Sequence, residues 1–362
     1  MKKIMYFLLC IILCIGIGGS AFILYKNFGG EKTPTTQGGD VTLDDGKDGV
    51  TDFEEPPADS SGDSTDTGTE LTPPTNEVSL IADGIEMLAG AQVYMGDDDT
   101  LDPAIRFTCL IDNDLKAEVE ADENKSLAIL VAPLDYFDEV NSDASTYIDW
   151  INAFADAGKT TILSVFDDYG TYNDYTSYMR FTLSNVLYNN MNRKFVAMGV
   201  LIDNSGDTPV YQYSAMPEGQ TYRTNARSVA YVSGAALNAY AIGEATFTEE
   251  RAAKLRTYID MAVDQANGLS AHTNNGDMPE VTITSGTSVT MGLNGSHTIT
   301  GGFEPTGLDV PVRFVSSNEG VVTVSEAGVI YARGYGSATI TLYIAGEAYT
   351  ISVTCSSDVQ YV

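Results

Sequence analysis

Residues 312–354 read VRFVSSNEGVVTVSEAGVIYARGYGSATITLYIAGEAYTISVT. Apolar and polar residues alternate in short runs, and each run closes on a turn signal such as SSNEG, SEAG or IAG. This is the pattern of half-buried strands joined by tight turns. The same pattern continues upstream, over Val281–Thr284, Ser288–Met291 and His297–Phe303. Within the quoted stretch the strands are Val312–Ser316, Val321–Ser325, Val329–Ala332, Ser337–Ile344 and Ala348–Thr354. Many short strands with no helical periodicity predict an all-β sandwich over residues 279–355.

Ser316-Ser317-Asn318, Val322 and Val324, Gly328-Val329-Ile330 and Gly334-x-Gly336-x-Ala338-x-Ile340 fall in the order and spacing of a known family. The segment resembles the bacterial immunoglobulin-like domain, group 2. Phe314 stands where that family usually carries Trp. The resemblance implies an Ig-like sandwich with Phe314 as its central aromatic, in a cell-surface or adhesion setting.

Upstream of a short linker, 270–278, residues 78–269 read as one α+β domain. Ala91–Met95 and Ile105–Ile111 are expected strands. Ser126–Ala132 (SLAILVA) is uniformly apolar, as a strand buried on both faces would be. Apolar spacing predicts helices over Ala144–Ala157, Ala226–Tyr240 and Phe247–Asn267, the last opened by a capping box from Thr246 to Glu249. Gly234 and Ala235 give the second helix a face that a neighbour can approach closely. Thr160–Phe166, Arg180–Val186, Phe195–Asp203 and Val210–Tyr213 complete the strands, with a helix as the alternative for Arg180–Val186. Arg106-Phe107, LVAPLDYF from Leu130 to Phe137 and YRTNARSVAYVSGAAL from Tyr222 to Leu237 resemble a region of large secreted multidomain proteins of Gram-positive bacteria.

The N-terminal run Ile4–Tyr25 is uncharged and follows Lys2 and Lys3. About 20 apolar residues suffice to cross a bilayer as a helix. A transmembrane signal anchor over residues 4–25 is the preferred reading, with residues 1–3 inside the cell and the C-terminal part outside. A cleaved signal peptide and a lipoprotein signal on Cys10 or Cys14 are the alternatives. Residues 26–77, rich in Pro, Thr, Gly and Asp, have the composition of an acidic disordered stalk, and residues 356–362 form a tail. The fold class expected is therefore multidomain: an N-terminal transmembrane helix, an α+β domain and a C-terminal Ig-like sandwich.

Within the stalk, DDGKDGVTDFEE places Asp44, Asp48, Asp52 and Glu55 at ligand positions of an EF-hand-type loop, with Gly49 at its turn. It also resembles a thrombospondin type 3 calcium-binding repeat, except that Gly46 replaces an acidic ligand. The resemblance implies a weak calcium site.

The chain has 50 acidic and 19 basic residues, a net charge of -31. That excludes the usual nucleic-acid binder, which needs clustered Lys and Arg. The two histidines, His272 in the linker and His297 in a strand, have no triad or zinc partners close in sequence. Cys109 and Cys355 read as separate buried thiols. Tyr172, Tyr175 and Tyr178, set among Asp167, Asp168 and Asp174, offer rings and carboxylates suited to sugars, so they are the candidate ligand-binding residues. Arg106, Arg180, Arg223 and Arg227 are either an anion site or structural ion pairs. The function expected is binding or adhesion at the cell surface, to cell-wall or host glycans or to matrix proteins. A carboxylate-dependent polysaccharide enzyme and a purely structural envelope component are the alternatives.

Overall fold

The computed structural model describes residues 23–26, 80–94 and 103–357. The candidate calcium residues Asp44, Asp48, Asp52 and Glu55 lie outside them. The chain is mostly β, and its first sheet is a curled one of ten strands.

That sheet is built from β1 (Ile23–Lys26), β2 (Ile81–Met87), β3 (Gln92–Tyr94), β4 (Ala104–Asp112), β5 (Lys125–Pro133) and β6 (Ile162–Phe166). It is completed by β7 (Gly170–Thr171), β8 (Thr176–Leu183), β9 (Phe195–Asp203) and β10 (Val210–Ala215). The strand order is β1-β6-β5-β9-β10-β2-β4-β8-β7, with β3 beside β4. Two pairings are parallel, β1 with β6 and β10 with β2.

The expected fold class is corrected at its N-terminus. Residues 23–25, the end of the proposed membrane span, belong to an edge strand in register with Ile162–Val165. Among the described residues no helix is long and apolar enough to cross a membrane. The rest of the run, residues 4–22, lies outside the described residues.

Strand β5 shows why the sheet stands at the centre. Leu127, Ile129 and Val131 face one core, and Ala128, Leu130 and Ala132 face another. An uninterrupted apolar strand can be satisfied only by cover on both sides. One side is covered by α5 (Val229–Ala241) and α6 (Glu249–Ala266), the other by α2 (Leu134–Val140) and α3 (Trp150–Asp156). Two further helices, α1 (Asn113–Ala121) and α4 (Tyr222–Asn225), follow β4 and precede α5. Phe137, Trp150, Phe154 and Tyr222 form one aromatic cluster with ring centroids 4.8–6.1 Å apart. In β9, a Cβ at Gly199 would lie 2.5 Å from Cys109 Sγ, so only glycine fits there. Burial pushes the Cys109 thiol up.

Three boundaries differ from expectation for local reasons. Helix α3 starts at Trp150 rather than Ala144, because the Asp143 carboxylate accepts from Ser145 N and from both hydroxyls of Ser145 and Thr146. Such bonds compete with the helix. Helix α6 is capped by Thr248, which accepts from Arg251 N, and not by Thr246. Strand β8 begins at Thr176, so part of the Tyr-rich stretch forms the tip of the β7–β8 hairpin.

Residues 280–355 form a sandwich. Its larger sheet joins β12 (Ser288–Met291), β19 (Glu347–Cys355), β18 (Gly336–Ile344) and β15 (Val312–Ser316) in that order. The facing sheet orders β13 (Ser296–Thr298), β17 (Val329–Ala332) and β16 (Val322–Val324). A ribbon of β11 (Glu280–Ile283) and β14 (Gly301–Glu304) stands beside them. Val322, Ile330, Ile340, Ile351 and Val353 fill the space between the sheets. Gly328, at φ 74°, closes the β16–β17 hairpin. A Cβ at Gly334 would meet the Gly320 carbonyl oxygen at 2.5 Å. Phe314 is half-buried at the margin of this core, over Gly328, rather than central.

The sandwich is packed onto the first domain. Leu308, Val310, Ile344 and Ala345 join the cluster that contains α5 and α6. The close-approach face of α5 meets the sandwich here: a Cβ on Gly234 would lie 3.1 Å from Pro311 Cδ. Asn238, buried at the seam, donates to Pro311 O at 3.1 Å and accepts from Gly346 N at 2.9 Å.

Candidate functional site

The three candidate tyrosines occupy different surroundings. Tyr172 and Tyr175 sit at the tip of the β7–β8 hairpin, 38% and 82% exposed. The tip is shaped by Tyr172 N and Asn173 N, which both donate to Thr176 O, and by Tyr175 N, which donates to Asn173 Oδ1. Tyr178 lies on β8, and its ring covers Gly170, where a Cβ would come within 2.0 Å of a ring carbon. The Arg180 guanidinium lies over the same ring, 4.2 Å from its centroid. Tyr178 is thus engaged within the sheet, while the other two rings face solvent.

The four arginines do not converge. Arg106 stacks on Tyr94 at 3.8 Å and donates to Thr182 Oγ1. Arg180 is a near neighbour on the same sheet, since Thr182 and Arg180 pair with Arg106 and Thr108. Arg223 is bound to Asp138 at 2.7 Å and to Ser142 O. Arg227 donates to the carbonyls of Thr224 and Ala226.

A shallow, open cleft of about 440 Å³ lies where the two domains meet, between α2, the segment leading into β9 and the 307–309 turn. Its position follows from two attachments. Leu134 N donates to Lys194 O, which ties the start of α2 to β9. Asp309 N donates to Asn192 Oδ1, and Asn192 in turn donates to Ala262 O on α6. Leu134, Leu308 and Gly307 give the cleft apolar surface, and Asp135, Asp138, Asp309, Lys194 and Asn192 give it polar groups.

Each carboxylate in the cleft has a cationic neighbour. Arg193 grips Asp135 with two donors, at 3.0 and 2.6 Å. Its guanidinium holds the Asp135 carboxyl below the usual carboxylate range. Asp138 has Arg223, and Asp309 Oδ1 lies 3.3 Å from Lys194 Nζ. Asp309 Oδ2 is buried without a hydrogen-bond partner. A general acid working near neutral pH needs a raised pKa, and Asp135 is shifted the other way. The arrangement offers fixed acceptors beside fixed donors over an apolar floor, which suits a neutral polyhydroxylated ligand. Sequence reasoning missed this cleft because its members come from residues 134–138, 192–194 and 307–309. The only local hint was Asp135 within LVAPLDYF.

A second polar cluster lies on α6. Asp260 and Asp264, one turn apart, are buried against residues 272–277. Asp264 Oδ2 accepts from Thr273 N at 2.7 Å and lies 3.0 Å from His272 Nδ1. Asp260 accepts from Gly276 N and Asp277 N, both at 2.8 Å. Burial raises the Asp264 pKa, but the Thr273 amide and hydroxyl and His272 outweigh it, leaving the carboxyl below its ordinary value. His272, which lacked partners in the linear sequence, finds two in space. The signal was an Asp pair at i, i+4 among the apolar positions of YIDMAVD, residues 258–264.

No protein-family model matches the chain, and no curated protein matches it. Among solved structures, an intimin mutant from EHEC O157:H7 aligns with 22% of this chain and 48% of its own, at 14% identity and a TM-score of 0.18. The chain therefore spans about half the length of that neighbour. A C-terminal 282-residue fragment of intimin, solved in complex with the intimin-binding domain of the translocated intimin receptor, aligns with 70% of this chain and 58% of its own, at 10% identity and a TM-score of 0.18. At such scores neither neighbour fixes a function. The four- and three-stranded sheets of residues 280–355, with the two-stranded ribbon beside them, are compatible with an Ig-like fold.

Proposed function

We propose that the protein binds glycans outside the cell, as a surface adhesion-type protein, and that the interdomain cleft is the ligand site. The observation that carries this reading is Asp309. Its Oδ2 is buried and unpartnered in a cleft at a domain junction. Oδ2 is closed to solvent, so a sugar hydroxyl would meet the Asp309 carboxylate at its other edge, where Oδ1 lies 3.3 Å from Lys194 Nζ. Lys194 beside it and the paired Asp138 supply the alternating donors and acceptors that fix a ring's orientation. Domain junctions are preferred places for such sites. The location outside the cell is supported by the apolar run after Lys2 and Lys3, read as an export signal, and by the acidic surface; no membrane span is invoked.

The test is calorimetry of the full chain against soluble cell-wall polysaccharide fragments, mucin-type glycans and matrix proteins, beside a screen of glycosidase substrates. A Lys194→Gln, Asp138→Asn double variant should weaken glycan binding about tenfold or more, equivalent to ~1.4 kcal/mol, with its melting temperature little changed. A Tyr172→Ala, Tyr175→Ala variant should bind as the parent does. Unchanged affinity in the cleft variant, or consumption of the glycan, would overturn the reading.

A further inference from the structure

The cluster of Asp260, Asp264 and His272 carries more charge than its neighbours balance. The two carboxylate side chains are 2% and 0% exposed. His272 is the cationic partner found beside both carboxylates. The amides of Thr273, Gly276 and Asp277 and the Thr273 hydroxyl hydrogen-bond the two carboxylates, but these are neutral donors, and even an imidazolium would offset one charge of two.

The imidazole itself is posed for a further ligand. Its Nδ1 lies 3.0 Å from Asp264 Oδ2, an acceptor that favours a proton on Nδ1 over the longer approach of Asn274 N at 3.4 Å. That leaves a lone pair on Nε2. Nε2 is buried with no hydrogen-bond partner and lies 3.8 Å from Asp260 Oδ2. Two electron-pair donors facing each other at that distance repel unless a cation stands between them. Zinc bonds of about 2.0–2.2 Å to imidazole nitrogen and to carboxylate oxygen place two ligands of one tetrahedral ion roughly 3.3–3.6 Å apart, and the observed 3.8 Å is longer by only a small side-chain adjustment. One ligand atom from each of the three residues lies within 4.8 Å of the others. A carboxylate holding the far side of a metal-binding imidazole is the usual outer support of such a site.

We propose that Asp260 and His272 bind a divalent transition-metal ion, with Asp264 orienting the imidazole and lying within reach as a third ligand. The imidazole selects zinc and its neighbours over calcium. The ion would fasten residues 272–277 to α6. It would thereby fix the connection into the sandwich, because α6 also carries the Ala262 carbonyl that holds Asn192 at the cleft.

The test is thermal melting of the full chain with zinc chloride, against calcium chloride at the same concentration, and cobalt(II) titration followed by visible absorption. Zinc should raise the melting temperature and calcium should not. The rise should vanish in His272→Gln, and Asp264→Asn should weaken zinc binding about 10–100-fold. Either substitution also loosens the 272–277 segment, so the unaltered chain provides the second readout. Cobalt should give the intense visible band of a low-coordinate site, and one equivalent of zinc should remove it. No band and no zinc shift in the unaltered chain would overturn the proposal. An equal zinc shift in His272→Gln would overturn it as well, by placing the ion elsewhere.

Discussion

Tyr213 shows how much one side chain can hold. It is fully buried, donates to Asp149 Oδ1 at 2.9 Å and accepts from Ile151 N at 2.9 Å. Asp149 is also the N-cap of α3. One phenol therefore joins β10 to the start of a helix that carries Trp150 and Phe154. Burial pushes this phenol far above the ordinary tyrosine range, so it stays a donor. Tyr213→Phe keeps the ring and strands both partners; the expected loss is about 1–3 kcal/mol in urea unfolding. The sequence placed Tyr213 at the end of a short strand but gave no sign of Asp149, which lies 64 residues away. Residue-scale shifts also set a pH profile. The depressed carboxyls of Asp135, Asp264 and Asp143, the last held at about 2 by the Thr146 and Ser145 hydroxyls, favour the fold when ionised. Their contribution is complete above the unfolded value of about 3.9 and is lost as pH falls through the folded values. Tyr169, pushed up to about 12 by burial and then by Glu120 and Asp167, acts at the other end. Its contribution is present below the unfolded value of about 10 and fades as pH rises towards 12. Melting temperature against pH should show a plateau between these limits. A maximum below pH 3 would contradict the carboxylate assignments.

At the scale of elements, strands were more legible than helices. The boundaries of β9 were readable from a continuous apolar run, and those of β12, β15 and β17 from short strand-like runs between turn residues. Helix starts were less so, because Asp143 and Thr248 act through side-chain bonds that spacing does not reveal. The N-terminal run was misread at its end for a related reason: three residues, Ile23 to Tyr25, can join a sheet edge as readily as continue a helix, and only β6 decides. On α5, Gly234 announced a close neighbour without naming it. The neighbour is Pro311, and Asn238 completes the contact. Asn238→Ala should cost about 1–3 kcal/mol, the penalty for leaving a buried amide and carbonyl unpaired, read by urea unfolding. Phe314→Ala should cost less than the ~3–5 kcal/mol of a fully buried Phe, because the ring is half-buried at the core margin. A loss at the top of that range would return Phe314 to the centre of the sandwich.

The whole molecule is organised by the seam between its two domains. Apolar residues of the sandwich share a core with α5 and α6, and polar contacts from Asn192, Lys194 and Asn238 reach across. Composition and turn signals set a linker at residues 270–278 between an α+β domain and a sandwich, with no sign of the contacts that join them. Contacts between distant segments carry no local pattern, so neither the seam nor its cleft was readable. Unfolding of the full chain in urea should show one cooperative transition for both domains, and the isolated sandwich should melt at lower urea. Two separated transitions in the full chain would mean the seam contributes little. The reading of the cleft as the ligand site is tested most directly by amide hydrogen exchange of the full chain with and without a bound glycan. Added protection should appear over residues 134–138, 192–194 and 307–309. Protection confined to residues 169–178 would place the ligand on the tyrosine hairpin and contradict it.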